Sequence, residues 1–359
     1  MKPSREHLRI GVVGATGAVG GRLLSILLQR NFPFASLRVF GSDRSVGKIL
    51  KVEGHSFTCE RLTTETLSEF DLLFFDTPDE VAREWVPKAC EAGVWVIDNS
   101  AAFRYGPENL IVVPEVNAAK LRERLAVQNT EAMARVLANP NCSTAQLVVA
   151  LYPLHQKYGL KRVVLSSYQS TSGAGVHAMD ELRAQSLDYL NSNPLRVQAL
   201  QHQIAFNVIP HIGGLDEFGN TSEERKIAQE SRSILGIPNL KITATAVRVP
   251  TLHCHAEAVN VEFEQGYSNI AEVRELLSRS PGIVVLDSPA EGIYPMPEAQ
   301  TSPDSLTATG RDAVYVGRIR KDESAENALN LWIVSDNLRK GAALNAVQIG
   351  EMWVETVCS

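Results

Sequence analysis

Residues 8–20 read LRIGVVGATGAVG, an apolar run followed by a turn with glycine at every third position. Apolar residues at helical spacing follow, from Arg22 to Gln29. This order predicts a strand, a glycine-rich turn and a helix. Such a turn lets backbone amides approach a pyrophosphate, and the helix N-terminus adds partial positive charge. We therefore expect this region to bind a dinucleotide through the turn that contains Gly14, Gly17 and Gly20.

Strands and helices alternate in the chain that follows. Apolar runs at 37–40, 72–75 and 94–97 are predicted strands, and residues 80–92 form a predicted helix before the last of them. Alternation of this kind is typical of an α/β fold with a Rossmann-like, doubly wound parallel sheet. Residues 122–136 are polar with scattered apolar positions and predict an additional helix.

The pattern changes at residues 139–144, which read NPNCST and resemble a turn with a helix cap. A helical pattern covers 145–158, and near-alternating candidate strands follow at 162–168, 242–249, 256–263 and 329–334. Alternation favours a mostly antiparallel sheet with one open face, in a second domain of α+β type. We also expect a surface loop or flap at 302–310 and a final helix at 341–357 that returns to the first domain.

Composition narrows the function classes. The chain has 359 residues, 44% of them hydrophobic, and a formal net charge of -6 without a basic cluster, so we expect no nucleic-acid partner. No apolar run approaches the roughly 18 residues of a membrane span, and we expect no membrane partner. Five scattered cysteines without a Cys-x-x-Cys pair fit a reducing, cytoplasmic environment.

The segment after the second predicted strand reads GSDRS at 41–45 and bears on the choice of cofactor. A carboxylate at this place binds the 2′-hydroxyl of NAD, whereas cationic and hydroxyl groups accommodate the 2′-phosphate of NADP. Asp43 favours NAD, but Ser42, Arg44 and Ser45 favour NADP. NADP is the preferred prediction, and a plain polar turn with solvated charges is the alternative.

Cys142 is the candidate nucleophile. A thiol in the first turn of a helix lies near unpaired amides and the positive end of the dipole, which stabilise its thiolate. The same amides can hold the oxyanion of a tetrahedral intermediate. An isolated cysteine is more often a small buried hydrophobe, so the assignment depends on its partners.

The NPNCST segment resembles the active-cysteine motif of the aspartate-β-semialdehyde dehydrogenase family, and further family-like blocks follow in order over almost the whole chain. They are SYQSTSGAG at 167–175, FNVIP at 206–210, TSEERK at 221–226, RVPTLHCH at 248–255 and GAALNAVQ at 341–348. The resemblance implies an NADP-binding domain of residues 1–138 and 338–359 and a catalytic and dimerisation domain of residues 139–337. It also implies a homodimer or homotetramer.

The resemblance implies roles for individual residues. His255 is the expected acid–base partner of Cys142, and Gln169 is expected to orient the substrate carbonyl. Substrate binding is expected from Arg104, Asn141, Glu223, Lys226 and Arg248, where Glu223 holds an ammonium, Arg248 a carboxylate and the other three a phosphate. Cofactor binding is expected from Gly14, Ala15, Thr16, Gly17, Ala18, Val19, Ser172, Gly173 and Asn345, together with the three residues after the second strand.

Some of these residues also have alternative interpretations. Glu223 and Lys226 have the i, i+3 spacing of a surface salt bridge. On a strand, His253 and His255 would share one face and could bind zinc, but no further ligand has suitable spacing, so no metal is expected.

The implied reaction is the NADPH-dependent conversion of β-aspartyl phosphate to aspartate semialdehyde through a thioester, in lysine, threonine and methionine biosynthesis. Two alternatives stay open: an N-acetyl-γ-glutamyl-phosphate reductase, or a weakly active regulatory paralogue. The second is motivated by Asp76 to Asp79, which read DTPD where many family members have small residues. Two carboxylates and a proline there would repel a dinucleotide phosphate and remove an amide donor.

Overall fold

The structure is a computed structural model and describes residues 5–106, 109–126, 131–298 and 307–358. The chain divides into two compact units: Met1–Pro140 with Ala342–Ser359, and Asn141–Gly341. The predicted boundaries after residue 138 and before residue 338 lie close to these divisions.

The first unit is built on a seven-stranded sheet in the order β3-β4-β2-β1-β5-β6-β7. Its strands are β1 (Arg9–Val13), β2 (Ser36–Phe40), β3 (Ile49–Val52), β4 (His55–Glu60), β5 (Leu72–Phe75), β6 (Trp95–Asp98) and β7 (Val136–Ala138). All neighbours pair in parallel except β3 and β4. The prediction of a Rossmann-like parallel sheet is confirmed.

Both faces of this sheet are covered by helices. The helices are α1 (Ala18–Gln29), α2 (Thr64–Leu67), α3 (Asp79–Glu91), α4 (Pro114–Ala126) and α9 (Leu344–Val357). Phe74 faces a core that contains Leu23 of α1 and Trp353 of α9, whereas the next residue, Phe75, faces a core that contains Val86 of α3. Side chains of a strand alternate between faces, so a continuous apolar strand such as β5 needs a helix layer on each side.

Several elements of the first unit differ from the sequence-based predictions. The predicted helix at 122–136 is wrong, because α4 ends at Ala126 and Val136 pairs in parallel with Val96 of β6. Burial of this short strand beside β6 outweighs the weak helical pattern. The antiparallel pair β3 and β4 was not predicted, since its residues are mostly exposed or half-buried and give no apolar run.

The second unit contains a six-stranded sheet in the order β11-β12-β13-β10-β8-β9. Its strands are β8 (Leu160–Gln169), β9 (Lys241–Arg248), β10 (His255–Phe263), β11 (Ile283–Val285), β12 (Val314–Lys321) and β13 (Ala328–Ser335). The three pairs formed by β8, β10, β13 and β12 are antiparallel, whereas β8–β9 and β11–β12 are parallel. The predicted α+β domain with a mostly antiparallel sheet is confirmed.

Several helices of the second unit pack against its sheet. The helices are α5 (Cys142–Tyr158), α6 (Val176–Leu190), α7 (Ser222–Leu235) and α8 (Ile270–Ser278). Helix α5 is buried along most of its length and contacts β8, β10, β12 and β13. Its first residue is therefore placed by a rigid support.

Other predictions concern single segments. Of the loop predicted at 302–310, residues 302–306 lie outside the described residues, and Thr307 forms a parallel bridge with Met296. The final predicted helix is α9, preceded by a π-helical turn at Arg339–Ala343. No helix among the described residues is long and apolar enough to cross a membrane.

Candidate active site

Cys142 is the first residue of α5, and its neighbour Asn141 caps that helix. The Asn141 Oδ1 atom accepts the backbone N–H groups of Ser143 at 3.0 Å and Thr144 at 3.1 Å. Such a cap fixes the first turn, where the positive end of the helix dipole favours a thiolate. Cys142 is partly exposed, unlike the fully buried Cys59, Cys90 and Cys254.

Three predicted site residues form one row across adjacent strands of the second sheet. Gln169, the last residue of β8, pairs with Arg248 at the end of β9 and with His255 at the start of β10. Residues paired in this way project their side chains from the same face. The row therefore brings together side chains that are far apart in the sequence, at the edge where the strands begin and end.

His255 is fully buried and uncharged. Burial, together with the charge of the nearby Arg248, lowers the pKa of His255 to about 3. The Nδ1 atom accepts the Ser170 backbone N–H at 3.2 Å, so the ring proton belongs on Nε2. Nε2 has no hydrogen-bond partner in the described part of the chain. This imidazole presents an N–H donor to a ligand.

Glu223 joins the cap residue to the row. Its Oε1 atom accepts the side-chain amides of Asn141 at 2.9 Å and Gln169 at 3.1 Å. Glu223 is buried in the first turn of α7, where Thr221 and Glu224 form a capping box. Glu223 therefore lies within this group of side chains and not at the surface.

Arg248 is buried within the same group. Its Nη1 atom donates to the Ser170 carbonyl oxygen at 2.7 Å. Burial is the main cause that lowers the pKa of Arg248, while the charges of Cys142 and Glu223 raise it. The guanidinium of Arg248 therefore interacts electrostatically with both Cys142 and Glu223.

The turn after β8 closes over this group. A Cβ atom on Gly173 would lie 3.0 Å from Arg248 Nη1 and 3.0 Å from His255 Cε1, so a side chain there would crowd both. Ser172 is buried, and its hydroxyl donates to Asn337 Oδ1 at 3.1 Å. Both residues were predicted to bind the cofactor, and that role stays a prediction.

Two other predicted residues have different surroundings. Lys226 is half-buried one turn after Glu223 and forms no ion pair with any described residue. Arg104 belongs to the first unit, where its guanidinium donates to the carbonyl oxygens of Asn139 at 2.8 Å and Asn99 at 2.7 Å. Their role in phosphate binding stays a prediction.

The expectation that His253 and His255 share a strand face is wrong. β10 begins at His255, and Cys254 before it has a left-handed φ of 65°. This turn breaks the alternation on which the expectation depends. Within the described ranges, no group of three or more His, Cys, Asp or Glu side chains could hold a metal.

A second cleft, of about 460 Å³, lies within the first unit at the glycine turn. Gly14, Thr16, Gly17 and Ser42 are among its lining residues. Gly14 has a φ of 90°, and a Cβ atom on it would lie 1.9 Å from the Asp76 carbonyl oxygen, so only glycine fits. Of the other predicted residues here, Ala15 is buried, and Ala18 and Val19 open α1.

The DTPD segment lies at this cleft only in part. Asp76, Thr77 and Pro78 line it, and burial raises the pKa of Asp76 to about 6. The Asp79 carboxylate instead accepts the Ala101 backbone N–H at 2.9 Å. Of the two carboxyl groups in the DTPD segment, only that of Asp76 therefore faces the place expected for a dinucleotide.

The residues after β2 differ in whether they line the cleft. Ser42 and Asp43 line the cleft, whereas Ser45 is buried with its hydroxyl 3.3 Å from Thr16 Oγ1. Arg44 is exposed and does not line the cleft. Another cation, Arg61, which was not predicted from the sequence, lines the cleft instead.

Comparison with known proteins identifies the family. Residues 9–124 match the model described as semialdehyde dehydrogenase, NAD binding domain, and residues 151–340 match the model described as semialdehyde dehydrogenase, dimerisation domain. Aspartate-semialdehyde dehydrogenase from Aquifex aeolicus is 43% identical over 97% of this chain and 98% of its own. The chain belongs to the aspartate-semialdehyde dehydrogenase family.

Other members of the aspartate-semialdehyde dehydrogenase family agree. The Bacillus subtilis enzyme is 39% identical over 96% of each chain. Aspartate semialdehyde dehydrogenase II from Vibrio cholerae, solved in complex with ASA, has a TM-score of 0.90 at 38% identity and covers 97% of this chain and 98% of its own. The Candida albicans enzyme, solved with NADP, has a TM-score of 0.75 at 25% identity over 98% and 99% of the two chains. A nicotinamide cofactor is therefore supported for this chain.

Two polar residues near the site were not predicted from the sequence. Glu230 lies about two helical turns after Glu223 on α7 and accepts the Asn141 backbone N–H at 2.6 Å. Asn337 accepts the hydroxyls of Ser170 and Ser172. Both are ordinary polar residues until the fold places them beside the cap and the turn.

Proposed function

We propose that this protein catalyses the NADPH-dependent reductive dephosphorylation of β-aspartyl phosphate to aspartate semialdehyde, through a thioester on Cys142. The observation that carries the proposal is the row of Arg248, Gln169 and His255 across three strands. The helix start that holds Cys142 completes the group through Asn141 and Glu223. The names of the full-length relatives support the substrate.

The first step is acyl transfer to the thiol. The Cys142 thiolate attacks the acyl carbon, and phosphate leaves with the electron pair of the broken C–O bond. The His255 Nε2–H group, which has no partner among the described residues, is proposed to donate to the oxyanion that forms during attack, and the positive end of the α5 dipole favours the same charge.

The second step reduces the thioester. A reduced nicotinamide cofactor, which Gly14, Thr16 and Gly17 would help to hold, would supply the hydride for this reduction. The oxyanion that hydride addition forms accepts a hydrogen bond from His255 Nε2–H, and its collapse breaks the C–S bond and releases the aldehyde and the Cys142 thiolate. The low pKa of His255 keeps the imidazole neutral at physiological pH, so Nε2–H remains a hydrogen-bond donor in both steps.

Substrate recognition is assigned by charge. The planar guanidinium of Arg248 matches a carboxylate with two hydrogen bonds, and the buried carboxylate of Glu223 suits an ammonium. Asn141, Lys226 and Arg104 are proposed to bind the phosphate. An N-acetylated substrate lacks the ammonium and would leave the Glu223 charge without a partner.

NADP is the proposed cofactor. Hydroxyl and cationic groups follow β2 and β4 beside the glycine turn, and the Candida albicans relative was solved with NADP. Asp43 in the same cleft is the feature that favours NAD.

The test is the phosphate-dependent reduction of NADP by aspartate semialdehyde, run in parallel with NAD and with N-acetylglutamate semialdehyde. We expect turnover with aspartate semialdehyde and a loss of about a thousandfold or more in Cys142→Ala. Cys358→Ser, which changes another partly exposed cysteine, serves as the matched control and should keep full activity. Activity with the N-acetylated aldehyde alone would make the protein an N-acetyl-γ-glutamyl-phosphate reductase. No turnover at all would favour a regulatory paralogue.

A further inference from the structure

The edge of the first sheet brings together two charged residues that are distant in the sequence. β2 and β4 are parallel neighbours with Phe40 opposite Glu60, and the Gly41 backbone N–H donates to the Glu60 carbonyl oxygen at 3.2 Å. Parallel strands end at the same edge of a sheet. The segments that leave β2 and β4 therefore run side by side, and they carry Asp43 and Arg61.

These two residues form an ion pair in the cleft at the glycine turn. Arg61 Nη2 lies 2.8 Å from Asp43 Oδ1, and the two side chains are 63% and 75% exposed. An ion pair with this exposure contributes little to stability, because water solvates both charges when they separate. Either side chain can therefore exchange its partner for a ligand at low cost.

Arg44, the cation favoured by the sequence, is less well placed. It is exposed, and the cleft is lined by Ser42, Asp43 and Arg61 but not by Arg44. Ser45 points behind the turn toward Thr16. The cleft thus contains one carboxylate, one guanidinium and one hydroxyl next to the end of β2.

We propose that Arg61 binds the 2′-phosphate of NADP, and that Asp43 opposes this phosphate and favours NAD by binding the ribose hydroxyls. This inference rests on the proposed nicotinamide cofactor. A guanidinium offers two parallel N–H donors to a phosphate, whereas a carboxylate at this edge accepts hydroxyl groups and repels a phosphate. The Asp43–Arg61 pair then determines the selectivity between the two cofactors.

The experiment measures binding alone, by calorimetry, with adenosine 2′,5′-bisphosphate and 5′-AMP as probes that differ in the 2′-phosphate. Arg61→Gln should weaken binding of the bisphosphate by about tenfold or more and change binding of 5′-AMP by less than about twofold. Arg44→Gln is the matched control and should change neither probe by more than about twofold. Asp43→Asn should tighten the bisphosphate several-fold. The exposed positions of all three side chains leave the fold intact.

Each other outcome overturns the inference. A selective loss in Arg44→Gln with no effect in Arg61→Gln would assign the phosphate to Arg44. Equal weakening of both probes by Arg61→Gln would mean that Arg61 supports the cleft and does not recognise the 2′-phosphate. If the wild-type protein binds neither probe, the proposed cofactor site itself fails, and that result is distinct from binding that is insensitive to Arg61.

Discussion

The Asp76 carboxyl group is buried where its charged form is disfavoured. It lies at the end of β5 under the glycine turn, where burial is the main cause that raises its pKa from 3.8 to about 6. The backbone N–H of Gly20 and the side chain of Asn99 oppose this shift only in part. At neutral pH the folded protein therefore contains a charge that its environment disfavours.

This charge predicts a specific dependence of stability on pH. Between about pH 4 and pH 6 the folded state holds a proton on Asp76 that the unfolded chain releases, so the free energy of unfolding falls as pH rises through this window. Asp76→Asn removes the charge. We expect the variant to be more stable than wild type at pH 8 by up to about 2 to 3 kcal/mol, and to lose that advantage near pH 4.

Urea denaturation of both proteins at the two pH values measures the difference. A variant that is less stable than wild type by the same amount at both pH values would show that the hydrogen bond to Gly20 matters more than the charge. The comparison at pH 4 is the internal control, since there both side chains are neutral in the folded state.

At the scale of elements, the start of α5 joins structure to reactivity. Asn141 caps two N–H groups of the helix and also donates to Glu223. Loss of an N-cap side chain destabilises a protein by about 1 to 2 kcal/mol. Because an ordered first turn of a helix favours a thiolate, Asn141→Ala should also slow alkylation of Cys142 by iodoacetamide at neutral pH, by about threefold or more.

A matched control separates the two effects. Asn269 caps α8 in the same way, through its Oδ1 and the Glu272 backbone N–H at 3.0 Å, and α8 carries no cysteine. Asn269→Ala should lower the denaturation midpoint without changing the alkylation rate of Cys142. Equal alkylation rates in Asn141→Ala and Asn269→Ala would contradict a role of the cap in thiol reactivity.

Elements also show what a sequence can and cannot predict. Strands with continuous apolar runs, such as β1 and β5, were predicted because burial on both faces requires such runs. β4 was missed because only Cys59 of its six residues is buried, which leaves little apolar signal. Arg61 was missed because only the pairing of β2 with β4 brings it next to Asp43.

The row of Gln169, Arg248 and His255 was also predictable only in part. The cysteine motif and the family-like blocks predicted Gln169, Arg248 and His255 as site residues, but the strand register that aligns them has no local code. The protonation of His255 depends on burial and on a backbone N–H of Ser170. Such features arise from tertiary packing, which residue type alone does not determine.

At the scale of the whole molecule, the second unit exposes large apolar side chains to solvent. Leu187 and Leu190 on α6 are 64% and 72% exposed, and the half-exposed rings of Tyr189 and Phe206 pack together with centroids 4.6 Å apart. Large apolar side chains that stay exposed near one another in the sequence of one helix are typical of interaction sites. The matched dimerisation-domain model spans all four residues, so a second copy of the chain is the expected partner.

This surface predicts how the assembly responds to charge. In the Leu187→Asp, Leu190→Asp double variant, each carboxylate would have to enter the interface without a partner, which costs several kcal/mol per site. We expect sedimentation velocity to show oligomers for wild type and monomers for the variant at micromolar concentration. Ile49→Asp, at a 63% exposed position of β3 in the first unit, is the control and should remain oligomeric. An oligomer that survives the double variant would place the interface elsewhere on the second unit, because apolar side chains at its centre cannot be replaced by unpaired charges without dissociation.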